Sequence, residues 1–220
     1  MATAARAFLV RVLVLVVAGI TLQACGSEDT RLSEKDPSPS SLAEFVVENW
    51  TSQPVGMVGI PNGWIGKDWG NSKYDFRVEA AGLGRVLHLK SQRGGTAIIS
   101  KEARVDIQQY PRLEWQWNVA VLSMDGDARK GGEINDHSAQ IYVTFARFPT
   151  KVRSRTIGYV WDTFAPTGTI IKSEKTVTIT YIVVRSGAAD HGKWITERRN
   201  VREDYRQIYG EEPYGSVDVV

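Results

Sequence analysis

Leu113-Glu114-Trp115-Gln116-Trp117-Asn118-Val119 alternates apolar and polar side chains without a break. Successive side chains of a strand point to opposite faces. Leu113, Trp115, Trp117 and Val119 therefore share one face, and Glu114, Gln116 and Asn118 share the other. The tryptophans are read as core residues, because their large rings suit the space between two packed sheets. Residues 139–145 repeat the pattern, with Ala139, Ile141, Val143 and Phe145 opposed by Gln140, Tyr142 and Thr144. A third stretch sets Val177, Ile179, Tyr181 and Val183 against Thr176, Thr178 and Thr180. An apolar and a polar face on each strand predicts an all-β, two-sheet β-sandwich.

The flanking sequence fits that frame. Residues 74–78 and 85–90 alternate around the turn Ala81-Gly82-Leu83-Gly84, which predicts a hairpin. Residues 96–100 and 157–161 read as further strands, and the Gly- and Pro-rich residues 54–70 as loop with room for a short strand. Two helices are expected. Residues 42–50 carry Leu42, Phe45, Val46 and Asn49 at helical spacing behind Ser41. Residues 200–209 begin with Asn200, have Glu203 at the capping-box position and are followed by Gly210.

The N-terminus reads differently. Arg6 and Arg11 supply positive charge, and residues 8–20 are almost wholly apolar, too few for a membrane span but fitting the core of a secretory signal. Leu22-Gln23-Ala24-Cys25-Gly26 follows and resembles the lipobox of bacterial lipoproteins. The expected organisation is a signal peptide over 1–24, a lipidated polar tether over 25–41 containing Pro37 and Pro39, and one β-sandwich domain over 42–220. Cys25 is the only cysteine, so no internal disulfide exists. Two or more acyl chains on it give stable membrane anchoring. Gly26 rather than Asp follows, which by the enteric sorting rule favours the outer over the inner membrane. The formal charge of +2 is largely the leader's own, so the domain is close to neutral and no nucleic-acid partner is expected.

Motifs for chemistry are few. No nucleophile elbow, phosphate loop or zinc-protease helix is present, and no cofactor or metal is expected. Asp125, Asp127, Glu133 and Asp136 form an acidic loop whose spacing fits no calcium loop. His137 beside Asp136 and His191 beside Asp190 are read as poor catalytic couples, since neighbours on an extended chain face apart, and His191 is placed in a hairpin turn. Arg198 and Arg199 are read as ordinary ion-pairing residues.

Several ordered segments carry a resemblance. Tyr110-Pro111-Arg112-Leu113-Glu114-Trp115-Gln116-Trp117-Asn118-Val119, residues 139–145, Gly158-Tyr159-Val160-Trp161, Val183-Val184-Arg185-Ser186-Gly187 with Trp194, and Arg198-Arg199-Asn200-Val201 with Asp204-Tyr205 and Gly210-Glu211-Glu212-Pro213 resemble a bacterial exported family catalogued as domain of unknown function 3047. The resemblance runs from about Gly63 to the end. It implies a sandwich like carbohydrate-binding jelly rolls and brings no established activity. Where the family often carries Gly-Asp-Asp before an Arg-x-Tyr-Val strand, this chain has Ile134-Asn135-Asp136 and Gln140. Family members usually continue with another strand and an Asp-rich segment, so a terminal strand or two is expected to be missing after Val220.

The function expected is a non-catalytic envelope lipoprotein binding a carbohydrate or another polar envelope ligand. Glu114, Gln116, Asn118, Gln140 and Tyr142 are expected to form the floor of its site, on one sheet face. Two alternatives stand beside it: a glycan-active enzyme using Glu114 or Asp136 with Tyr142, and a structural or assembly lipoprotein that binds protein through an exposed edge.

Overall fold

The computed structural model describes residues 6–11, 44–69, 75–82, 84–91, 96–130, 136–149, 153–214 and 216–219. Cys25 and the tether lie outside them. Among the described residues, twelve strands and one α-helix make the architecture. The strands are β1 (Arg6–Arg11), β2 (Ile65–Trp69), β3 (Asp75–Ala81), β4 (Gly84–Ser91), β5 (Thr96–Asp106), β6 (Arg112–Val119), β7 (Ala139–Phe145), β8 (Arg155–Asp162), β9 (Ile170–Lys172), β10 (Ile179–Ser186), β11 (Ile195–Asn200) and β12 (Ser216–Val219); the helix is α1 (Val201–Tyr209).

They form a five-stranded sheet, β11-β6-β1-β4-β3, and a seven-stranded sheet, β2-β5-β12-β7-β8-β10-β9. One core fills the space between. Trp115 and Trp117 of the first sheet meet Tyr159 and Trp161 of the second, at ring-centroid distances of 5.4 and 5.9 Å. All four are fully buried. The alternation of β6 and β7 appears directly as alternating burial. The fold is thus all-β and sandwich-like, as the patterning predicts.

The β3–β4 hairpin is present in antiparallel register. Helix α1 has the predicted caps: Asn200 accepts the Glu203 amide at 3.2 Å, and Gly210 stops the helix at φ 68°. The positive φ suits glycine, which has no Cβ to clash.

Three expectations need correction. Residues 44–50 form no helix. The Glu48 carboxylate accepts from the amides of Asn49 and Trp50 at 3.1 and 2.8 Å, and Trp50 adopts φ 63°. Such local bonds compete with the helical ladder. Secondly, Tyr181 and Val183 of β10 do not face the main core. They join Ala128, Val160 and Ala165 in a smaller cluster on the other side of the seven-stranded sheet, while Ile182 faces the main core. Both faces of β10 are covered, one by the main core and the other by this smaller cluster, so the face cannot be read from alternation. Thirdly, the turn holding His191 is not a hairpin, because it carries the chain from one sheet to the other. Arg6–Arg11, inside the stretch read as leader, forms β1 and pairs antiparallel with β4 and β6. Short apolar runs suit a strand as well as a helix. At the other end β12 pairs with β5 and β7. Among the described residues no helix is long and apolar enough to cross a membrane.

Candidate functional site

The five expected floor residues do not meet. β6 and β7 belong to different sheets whose apolar sides face one another across the core. Their polar sides therefore look away from each other, and the assumption that the two strands are neighbours fails. Glu114, Gln116 and Asn118 do share the outer face of β6. There Glu114 accepts from Arg198 Nε at 2.5 Å, Gln116 donates to Thr196 Oγ1 at 3.1 Å, and Asn118 donates to the Gly192 carbonyl at 3.0 Å. All three partners lie on β11 or the turn before it. On the opposite side of the molecule the Tyr142 hydroxyl donates to Gln140. Glu114 is thereby separated from Tyr142, and Asp136 is exposed just before β7.

His137 does not couple with Asp136. Its Nδ1 lies 3.1 Å from Asp162 Oδ2, with both side chains fully buried. Asp162 also accepts the amides of Ala128, Phe164 and Ala165 at 2.9, 2.9 and 2.7 Å. Burial pushes this carboxyl up, but the bonds from His137 and the three amides outweigh it and hold it below the ordinary carboxylate range. The carboxylate joins three chain segments and, being sealed from solvent, serves the fold. Glu48 is a second such centre. Burial pushes it up, and Lys101, the Trp64 indole and the Trp50 amide together bring it below its ordinary value. In the acidic loop, Asp127 pairs with Arg129 at 2.8 Å, and Glu133 lies outside the described residues. Among the described residues no three His, Cys, Asp or Glu side chains group as a metal site.

A cleft that sequence reasoning missed lies where the ends of several elements converge. Its volume is about 690 Å³, and Arg147, Arg153, Arg155, Lys172, Gln207 and Tyr209 are among its walls. Thr178, Thr180, Ile170, Val177 and Ile208 complete much of the rest. This size is ordinary for a ligand site. Arg155 opens β8, Lys172 closes β9, Gln207 and Tyr209 end α1, and Arg147 follows β7.

The electrostatics of the cleft are lopsided. Glu211 is the carboxylate beside it, and Arg147 and Arg155 both bond to it, the latter at 2.6 Å. Burial pushes Glu211 up, and the two guanidinium groups reverse that and leave it below its ordinary value. Arg155 also donates to the Tyr205 hydroxyl at 2.9 Å and stacks over the Tyr209 ring at 4.3 Å. Those contacts fix it as a rigid wall. No ion pair is shown for Arg153 or Lys172 among the described residues, and both are exposed. The cleft therefore offers spare positive charge beside hydroxyl and amide groups. Nothing local in the sequence marks it, because its members span residues 147–209 and each looks like an ordinary surface residue alone.

A family model described as "Protein of unknown function (DUF3047)" matches residues 62–220. No curated protein and no solved structure matches the chain.

Proposed function

We propose, for a chain that belongs to the family described as protein of unknown function DUF3047, a non-catalytic binding domain of the bacterial envelope that holds an anionic, hydroxyl-rich ligand such as an acidic polysaccharide. The observation that carries this reading is the cleft of about 690 Å³ walled by Arg147, Arg153, Arg155 and Lys172, with Glu211 as the neighbouring counter-charge. Guanidinium groups match carboxylate, sulfate and phosphate oxygens with paired N–H bonds. Thr178 and Gln207 suit the hydroxyls of a sugar.

Anchoring belongs to the same proposal. The apolar run before Leu22-Gln23-Ala24-Cys25-Gly26 supports cleavage before Cys25 and lipidation there, with the polar residues 26–41 as tether. Such a lipoprotein faces the periplasm, with the outer membrane favoured by Gly26.

The test is a glycan array carrying acidic and neutral polysaccharides, probed with the chain as it stands and with Arg153→Glu plus Lys172→Glu. Acidic glycans are expected to bind, and the double reversal to weaken them at least tenfold without lowering the melting temperature. Equal binding by both proteins, or binding of neutral glycans alone, would remove the reading.

A further inference from the structure

The cationic cleft has an apolar rim. Phe148, Tyr214 and Val177 are 87%, 71% and 69% exposed, and Ile170 is exposed as well. Val177 and Ile170 line the cleft itself. Phe148 stands on the connection between β7 and β8 that also carries Arg147 and Arg153, and the Arg153 amide donates to the Pro149 carbonyl at 3.0 Å. The Tyr214 ring centre lies 5.5 Å from the Arg147 guanidinium. Single exposed apolar side chains are ordinary on a protein surface, but several gathered at one mouth mark a site of contact.

Charge and apolar surface alternate around this mouth. Phe148 follows Arg147, and on β9 Ile170 and Lys172 share a face, being two residues apart on one strand. A sugar alone has little use for such a rim. The aromatic residue in the cleft wall, Tyr209, has Arg155 stacked over its ring at 4.3 Å, whereas the most exposed ring, Phe148, stands outside. An amphiphile uses both parts, its anionic head meeting the cations and its acyl chains covering the rim. Binding to anionic lipid grows with the apolar area covered and with the attraction between basic side chains and headgroups.

We propose that the ligand of the cleft is an anionic lipid. Its hydroxyl-rich, phosphate- or carboxylate-bearing headgroup enters the cleft, and its acyl chains lie against Phe148, Val177 and Ile170. This deepens the reading of the cleft given above and rests on it. The rim is then the face that the protein turns toward lipid.

The test uses the full chain carrying Cys25→Ser, titrated with three probes below their micelle concentrations: dihexanoyl phosphatidylglycerol, its deacylated headgroup glycerophosphoglycerol, and dihexanoyl phosphatidylcholine. Amide chemical shifts locate the binding. The anionic lipid is expected to shift Phe148, Lys172 and Val177. It should bind roughly tenfold or more tightly than the bare headgroup, the scale of two buried methylene groups, and by a similar factor more tightly than phosphatidylcholine. Phe148→Ser with Val177→Ser should bring the lipid down to the headgroup's affinity and leave the headgroup's unchanged. These side chains are exposed, so the melting temperature should hold. Equal affinity for lipid and headgroup, equal affinity for the two lipids, or lipid binding untouched by the serine pair would each overturn the proposal. A dimer that dissociates on Phe148→Ser would show a second copy covering the rim, and would overturn it equally. In all these cases, binding of acidic polysaccharide that is lost with Arg153→Glu and Lys172→Glu would leave the cleft reading standing. Lipid and polysaccharide binding both unmoved by that charge reversal would remove the two together.

Discussion

A methyl group added at Gly158 would lie 2.8 Å from Tyr181 Cδ1 and 3.0 Å from Tyr142 Cε1. Both contacts are with rings, which cannot fold away, so Gly158→Ala is expected to cost about 1–3 kcal/mol as overpacking, read by denaturant melts. On the main-core side, Trp115→Ala or Trp117→Ala should each cost about 3–5 kcal/mol. Near wild-type stability would contradict the core assignment. Buried carboxylates set the response to acid. Asp162 and Glu48 are both held below their ordinary values in the folded protein. Their contribution is therefore complete above the unfolded pKa, near about pH 4, and is lost as pH falls through the lower folded values. Melting temperatures should drop steeply below about pH 4, and Asp162→Asn should flatten that drop while lowering stability at pH 7 by about 1–3 kcal/mol. An unchanged acid limb in the variant would contradict this. The tryptophan face was legible because alternation reports burial directly. The His137–Asp162 pair was not, since its members stand on different segments and only the assembled fold brings them together.

Helix α1 and the β3–β4 hairpin were legible because their ends carry their own chemistry: Asn200, Glu203 and Gly210 for the one, Gly82 and Gly84 for the other. Residues 44–50 misled because helical spacing was present but Glu48 had better partners than the helix could offer. It accepts the Trp64 indole at 3.0 Å and Lys101 at 2.9 Å besides the two local amides. Strand β10 misled for another reason. The main core covers one of its faces and the smaller cluster the other, so Ile182 and Tyr181 are both buried. The helix also organises the site. Arg199 pairs with Asp204, which accepts the Tyr159 hydroxyl at 2.8 Å, pinning α1 to β8. Asp204→Ala should loosen that attachment, destabilising the fold by about 1–3 kcal/mol because it leaves the buried Tyr159 hydroxyl without its acceptor and Arg199 without its carboxylate. A loss under about 1 kcal/mol in denaturant melts would show that α1 is held by packing instead.

At the scale of the whole molecule, strand order was the information the sequence could not supply. Alternation tells which face of β6 is buried but not which strand lies beside it, so Gln116 and Tyr142 looked compatible with one floor although they occupy opposite sides. The cleft was hidden for the same reason, since it is assembled from the ends of β8, β9, β10 and α1. Anchoring makes an independent prediction: Cys25→Ser should abolish incorporation of labelled fatty acid, and undiminished label would contradict the lipoprotein reading. The central claim is the anionic ligand in the cationic cleft, and amide chemical-shift mapping tests it most directly. On titration with an acidic polysaccharide, amides at Arg153, Lys172, Thr178 and Gln207 should shift, and the shifts should shrink as salt is raised, because exposed charges are screened. Shifts confined to Gln116, Asn118 and Thr196 on the other face, or no shifts at all, would contradict the account.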